Sequence, residues 1–368
     1  MLFDYTASEI ILFFILYGIT GMAAFIAAVY LLLRKGNAFA ADITPPSRLR
    51  RWAASFFGLS ALSRVWWYLF VIRFDDINSE DDILRSSAYI VVVVLDFTML
   101  LITLSGTLLA MLQDRKRSVL PVFLSMVPFA VLGAMVVVRP SVFLMHIGFA
   151  YVLLLYIAFT VYIFFSVRQY GRWLRDNYAD LERKEVWLSL VAALACMLLF
   201  IFYVLADASL VLMYILHILY LVFYTLLLWR VETLPQLGGP VQSEQTPPQS
   251  SNANVSNIEQ LLAEHCVATQ LYLQHDLTLT ELAKALGTNR TYLGQYFSSK
   301  HITYNAYVNN LRIDYFTNRY KEVVRNRQSF TIQQLAHQSG YRSYSTFSLA
   351  FKHRMGRSVT DWIRNVAS

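Results

Sequence analysis

Seven apolar runs, each near the length needed to cross a bilayer, restrict this chain more than any other feature. A spanning helix needs about 20 apolar residues. Runs of that order fill about 10–33, 52–72, 87–112, 118–138, 141–167, 187–205 and 208–230. The last two meet across Ala206-Asp207-Ala208. As one helix they would measure roughly 66 Å at about 1.5 Å per residue, about twice one bilayer core, so two passes with a tight hairpin are predicted. Runs four and five join at Arg139-Pro140, where proline favours a break. Of the 368 residues, 57% are apolar and 15% charged, against about 25% charged in a typical soluble domain. A single water-soluble enzyme domain is excluded, and so is disorder throughout.

Lys/Arg bias in short loops sets the expected orientation. Arg34, Lys35, Arg48, Arg50 and Arg51 fall in the first loop. Arg115, Lys116 and Arg117 fall in the third, and Arg168, Arg172, Arg175, Arg183 and Lys184 in the fifth. The alternate loops hold Arg73, Arg85 and Arg139, the first two flanking an acidic stretch at 75–82. Loops one, three and five are therefore expected in the cytoplasm, with the N-terminus outside. No basic region precedes the first run, so a cleaved signal peptide is not expected.

The polar remainder of the chain has a different character. Residues 232–256 (ETLPQLGGPVQSEQTPPQSSNANVS) are rich in Pro, Gly, Gln, Ser and Asn and read as a flexible tether. Beyond it, residues 256–368 hold 13 Lys/Arg against 7 Asp/Glu, a net +6 of the chain's +7. A compact basic domain is the electrostatic footprint of a polyanion binder. The three expected domains are thus 1–231, 232–256 and 257–368. Cys196 in an apolar run and Cys266 in the tail read as small buried hydrophobes in a reducing setting.

The tail is predicted to be all-α. Ser256-Asn257-Ile258-Glu259, Thr278-Leu279-Thr280-Glu281 and Thr331-Ile332-Gln333-Gln334 each fit the capping-box pattern ahead of a helix-period apolar run. An internal repeat runs at an offset of 53: Leu282-Ala283 with Gly287 recurs as Leu335-Ala336 with Gly340. Leu293 and Phe297 follow in the first copy, Phe347 and Phe351 in the second, after a turn one residue longer. In physical terms this is a helix-turn-helix made twice. The alanine permits a close helix crossing, the glycine supplies the positive-φ turn position, and the apolar pair anchors the second helix. A generic pair of αα-hairpins is the competing reading, and it is less economical for two copies within one basic domain.

Residues 332–341 (IQQLAHQSGY), Ser345-Thr346-Phe347-Ser348-Leu349-Ala350-Phe351-Lys352, Gly356 and Thr360-Asp361-Trp362 resemble the second motif of AraC/XylS-type transcription regulators. Leu282 to Phe297, with Leu311-Arg312 beyond, is similar to the first motif of that family. The resemblance covers about 257–365. It implies two recognition helices in successive major grooves on one face of double-stranded DNA, held apart by a long helix at about 304–325. It also implies a bacterial setting, hence a multi-pass protein of the cytoplasmic (inner) membrane with its DNA-binding domain in the cytoplasm. With Asn289 and Ser343 as N-caps, Arg290, Thr291, Gly294 and Gln295 are expected to project from the first recognition helix. Tyr344, Ser345, Ser348 and Leu349 are expected to project from the second. The DNA-binding candidates are therefore Arg290, Thr291, Gln295, Tyr344, Ser345 and Ser348, with Arg342 and Lys300 as further phosphate contacts. Gly294 offers no side chain, Leu349 stands where the family often has Arg, and Val359 replaces the usual Pro, so modest base readout is expected.

Polar residues inside the apolar runs form a second set of candidates. Arg64 and Asp96 fall at matched depth on adjacent runs, about 12–14 Å below the outer surface by helical rise. Their mutual pairing is the economical arrangement, because an unpaired charge there costs about 2.5–3.5 kcal/mol on insertion scales. His217 lies at similar depth, on a face with Tyr214, Tyr220 and Tyr224. Thr103 and Thr107 extend a polar stripe, and His146 lies nearer the outside. These residues read either as a signal pocket or as a structural clamp.

No H-E-x-x-H, Walker loop, G-x-S-x-G elbow or C-x-x-C pair is present in the sequence, so no catalytic, cofactor or metal-binding residue is assigned. The sequence thus reads as an all-α chain: a seven-helix transmembrane bundle followed by an all-α double helix-turn-helix domain. Its expected role is a one-component transcription regulator that answers an extracytoplasmic or membrane signal. The expected partners are duplex DNA, the lipid bilayer, a small-molecule or membrane-protein signal of unknown identity, and a second copy in a homodimer. The rivals are a seven-span transporter or membrane enzyme with a regulatory tail, and a passive anchor that senses through a partner protein.

Overall fold

The computed structural model describes residues 6–34, 37–39, 43–73, 87–181, 184–187, 190–192, 194–195, 210–237 and 255–367. Among them the fold is entirely helical, with one isolated antiparallel bridge between Tyr178 and Thr278. Two compact units result. The first comprises 1–168 and 186–240; the second comprises 169–185 and 241–368.

The first unit is built from α1 (Ala7–Leu33), α2 (Ser47–Arg73), α3 (Ser87–Met111), α4 (Leu120–Ser125), α5 (Val127–Val138), α6 (Val142–Asn177) and α7 (Leu210–Thr233). Five stretches are long and apolar enough to cross a membrane: α1, α3, the α4–α5 pair, α6 and α7 from Val211. The run at 52–72 lies within the helix α2, while the expected sixth crossing at 187–205 lies mostly outside the described residues. The chain breaks between Val138 and Val142, around Arg139-Pro140, as the proline requires. Packing runs α1 on α2, α2 on α3 and α1 on α7. α1 begins with a capping box in which Thr6 and Glu9 bond each other's backbone N–H. Its outer face leaves Ile11, Ile15, Ile19, Met22 and Phe25 exposed.

The structure differs from the sequence reading at two helix ends. Arg48, Arg50 and Arg51 occupy the first turns of α2 rather than a loop. The opening of the expected tether is fixed: α7 continues to Thr233, and Leu234 and Leu237 are buried. Glu232, fully buried, pairs with Arg50 at 3.2 Å and accepts from the Tyr30 hydroxyl at 2.9 Å. The Gln113 side chain donates to Pro235 O at 3.0 Å and accepts from Leu237 N at 2.9 Å. Partners of this kind from Arg50, Tyr30 and Gln113 override a coil-forming composition.

The second unit begins with the last turns of α6, from Gln169, and the segment that follows. It continues with α8 (Val255–Leu262), a π-helical turn at Ala263–Val267 and a short turn at Leu271–Leu273. Then come α9 (Leu279–Ala285), α10 (Arg290–Ser299), α11 (Tyr304–Arg325), α12 (Ile332–Gln338), α13 (Tyr344–Met355) and α14 (Val359–Ala367). α11 falls close to the range expected for the long helix. α8 starts at Val255, so Ser256 lies inside that helix and does not head it as a cap. Two apolar cores form, one per helix pair, and α11 feeds both. Tyr304 and Val308 enter the first with Leu282, Ala283, Leu293 and Phe297. Ile313, Phe316, Tyr320 and Val323 enter the second with Leu335, Ala336, Phe347, Phe351 and Trp362.

Arg312, 1% exposed, sits between these two sets. Its Nε donates to Tyr272 O at 2.8 Å, one Nη to Gln274 O at 2.7 Å and to His275 O at 3.2 Å, and its guanidinium lies over the Tyr341 ring. A buried guanidinium is tolerable only with such acceptors. Burial lowers its pKa from the ordinary arginine value, against the opposing pull of Tyr341 and Tyr304.

Candidate nucleic-acid interface

Each helix pair is assembled by the same local chemistry. Thr278 with Glu281, and Thr331 with Gln334, form full capping boxes at the starts of α9 and α12. Gly287 (φ 65°) and Gly340 (φ 89°) supply the left-handed residue of each turn. At Gly340 space is restricted as well: a Cβ would stand 2.8 Å from Leu273 O and 2.9 Å from Arg312 Nε. Asn289 then caps α10, accepting from Tyr292 N, and Ser343 caps α13, accepting from Thr346 N.

With Leu293 and Phe297 buried, Thr291 and Gln295 are exposed on α10 and Arg290 is half-buried. Gly294 departs from the expected outward position. A Cβ there would touch Leu279 Cδ2 at 4.0 Å, which places it beside the crossing with α9. On α13, Phe347 and Phe351 are buried, Tyr344 and Ser345 are exposed, Ser348 is half-buried, and Leu349 is 74% exposed. Each helix thus presents a short polar row beside an N-terminus whose free N–H groups favour anions. Val359 is buried in the second core.

All three cations expected at phosphates have protein partners here. Arg290 Nε donates to Asn177 Oδ1 at 2.8 Å, and Arg342 pairs with Asp276. Lys300, exposed, pairs with Glu259. That pairing holds the Glu259 carboxyl below, and the Lys300 ammonium above, their ordinary pKa values.

Asn177 belongs to the segment that closes α6, whose docking the sequence reading missed. Tyr178 bridges Thr278, Ala179 N donates to Leu277 O at 3.2 Å, and Ala179 is buried in the first core. Asn305 Nδ2 donates to Ala179 O at 2.6 Å and Tyr178 O at 3.3 Å. Only the Lys/Arg content of the longer stretch 168–184 was readable in the sequence. A single bridge and one buried alanine carry no periodicity.

In the first unit, Arg64 and His217 converge on Tyr17. The Arg64 guanidinium lies 5.2 Å from the Tyr17 ring centroid and 4.9 Å from that of Tyr220, and the His217 ring is 5.7 Å from Tyr17. His217 Nδ1 lies 2.6 Å from Met213 O. Asp96 instead accepts from Trp67 Nε1 at 3.1 Å. Among the described residues, no ion pair joins Arg64 to Asp96, so the expected direct pairing is corrected: aromatic faces take the cation instead. The hydroxyls of Thr103 and Thr107 bond carbonyls of their own helix. His146 is exposed, with Nδ1 2.9 Å from Val142 O. Among the described residues, no group of three or more His, Cys, Asp or Glu is placed to hold a metal.

Residues 282–365 match the family model described as a helix-turn-helix domain, of the AraC type, and the match spans both helix pairs. No curated protein matches the chain, and no solved structure matches it.

Proposed function

We propose that the chain is a multi-pass protein of the bacterial cytoplasmic membrane that regulates transcription directly. In this reading its N-terminus lies outside, its double helix-turn-helix domain binds duplex DNA in the cytoplasm, and an extracytoplasmic or membrane signal controls it. The observation that carries the reading is the pair of capped recognition helices within a matched helix-turn-helix domain, in a chain whose other part carries long apolar helices. The exposed apolar face of α1 supports burial in lipid, because soluble monomers rarely leave such contiguous faces open.

Thr291, Gln295, Tyr344, Ser345 and Ser348 are assigned to base edges and Arg290 to phosphate. Gln suits adenine, and Ser or Thr serve either base type. The cluster of Arg64, His217, Tyr17 and Tyr220 is the assigned place of signal reception, with Asp96 beside it on α3. A second copy would raise effective concentration on paired sites.

The test uses the full-length protein in detergent micelles and a random pool of duplexes. Sequencing the retained fraction should reveal an asymmetric site spanning two successive major grooves. Gln295→Ala should lower affinity for that site about tenfold, the size of one base contact of roughly 1–3 kcal/mol. Affinity should fall steeply with salt. Retention without sequence preference contradicts the regulator reading. A reporter enzyme active only in the periplasm, fused at position 240, should be silent, and activity there overturns the orientation.

A further inference from the structure

The segment closing α6 occupies the first recognition helix at the place where DNA phosphate is expected. Asn177, 8% exposed, accepts from Arg290 at the first position of α10. The backbone of 178–179 is bridged to the strand-like stretch at 277–278 that enters α9, and Ala179 fills a place in its core. Lys184 Nζ lies 3.7 Å from Asp276, the carboxylate that also holds Arg342 ahead of α13. The segment therefore engages Arg290 directly, and it shares the partner of Arg342.

We propose that residues 177–181, with Lys184, are an intramolecular clamp that competes with DNA for the first helix-turn-helix, and that signalling acts by releasing it. The inference rests on the reading of 282–365 as a DNA-binding domain. The competition is for the orientation of Arg290: its Nε proton is committed to the buried Asn177 amide oxygen, which turns the guanidinium toward the clamp and leaves only its Nη protons for a phosphate. The route for the signal is also specified. The clamp is continuous with α6, whose first 27 residues, Val142–Arg168, belong to the first unit. Control thus needs no torque through the Pro- and Gln-rich sequence at 238–254.

The experiment measures binding of full-length protein in lipid nanodiscs to a labelled random-sequence duplex of about 40 base pairs, longer than two successive grooves. Asn177→Ala and Asn305→Ala remove two holds without touching the exposed faces of α10 or α13. Each should tighten binding several-fold, and together about tenfold, as expected for losing charge-assisted and neutral hydrogen bonds. The converse variant carries Tyr178→Cys with Thr278→Cys, because paired strand residues lie within disulfide range. Oxidised, it should bind about tenfold more weakly than the same protein reduced, so the lost Thr278 cap cancels from the comparison.

Equal binding in all forms, or weaker binding after Asn177→Ala and Asn305→Ala, overturns the clamp while leaving DNA binding intact. Absence of binding by every form at low salt removes the DNA-binding reading and the clamp with it. Binding by the release variants alone supports both.

Discussion

At the scale of single residues, the two turn glycines separate backbone strain from crowding. Both hold positive φ, but the space beside Gly287 is open while that beside Gly340 is closed by Leu273 O and Arg312 Nε. Gly287→Ala should destabilise its helix pair by about 1–2 kcal/mol, from the left-handed conformation alone. Gly340→Ala should add about 1 kcal/mol or more for overpacking. Hydrogen exchange of peptides spanning 279–299 and 332–355 in the intact protein would rank the two, and equal protection losses would contradict the crowding. Cys266 offers a pH test. Burial raises its thiol from an ordinary 9.0 to about 11. Because the folded pKa lies above the unfolded one, its contribution is full below about pH 9 and is lost as pH climbs towards 11. Thiol labelling of Cys266 should therefore be slow at neutral pH and quicken only where the domain unfolds. The caps at Thr278, Asn289, Thr331 and Ser343 and the two turn glycines were legible in the sequence because each acts within four residues of itself, whereas the cap expected at Ser256 lies inside its helix. The ring contacts of Arg64 were not, since a cation in an apolar run signals only that some partner exists, and two tyrosines from other helices serve as well as a carboxylate.

At the scale of elements, the two helix pairs depend on α11 and on one side chain in its middle. Arg312 ties α11 to carbonyls at 272, 274 and 275, and it stacks on Tyr341 of the second pair. Arg312→Ala should leave those buried carbonyls unsatisfied and destabilise the domain by about 3 kcal/mol. Both cores should loosen together, which tryptophan fluorescence from Trp362 in the second core and protease sensitivity of the first would register. Protection lost in one core alone would show that Arg312 serves only its own pair. The repeat was readable from its spacing, and the length of α11 was implied by the resemblance to AraC/XylS-type regulators. The docking of 177–181 and the anchoring of 232–237 were not, because each rests on isolated hydrogen bonds and ion pairs between segments distant in sequence. Composition at 232–256 favoured coil throughout, yet Glu232, Leu234 and Leu237 find buried partners that composition cannot register.

At the scale of the whole molecule, the proposed function has one chain carry two recognition helices on a helix of 22 residues, roughly 33 Å at about 1.5 Å per residue. That is close to the 34–36 Å between successive grooves on one face of DNA. Inserting about 5 base pairs, half a turn, between the two halves of a selected site should abolish the joint contact, while about 10 should restore the facing but exceed the reach. Competition binding with the three duplexes would check this, and indifference to the insertion would mean that only one helix reads. In that proposed arrangement, a rod of fixed length spanning two grooves also gauges the winding of the duplex. Over- or underwound DNA turns one half-site away from its helix, so promoter occupancy is expected to follow the torsional state of the chromosome even when protein and signal are held constant.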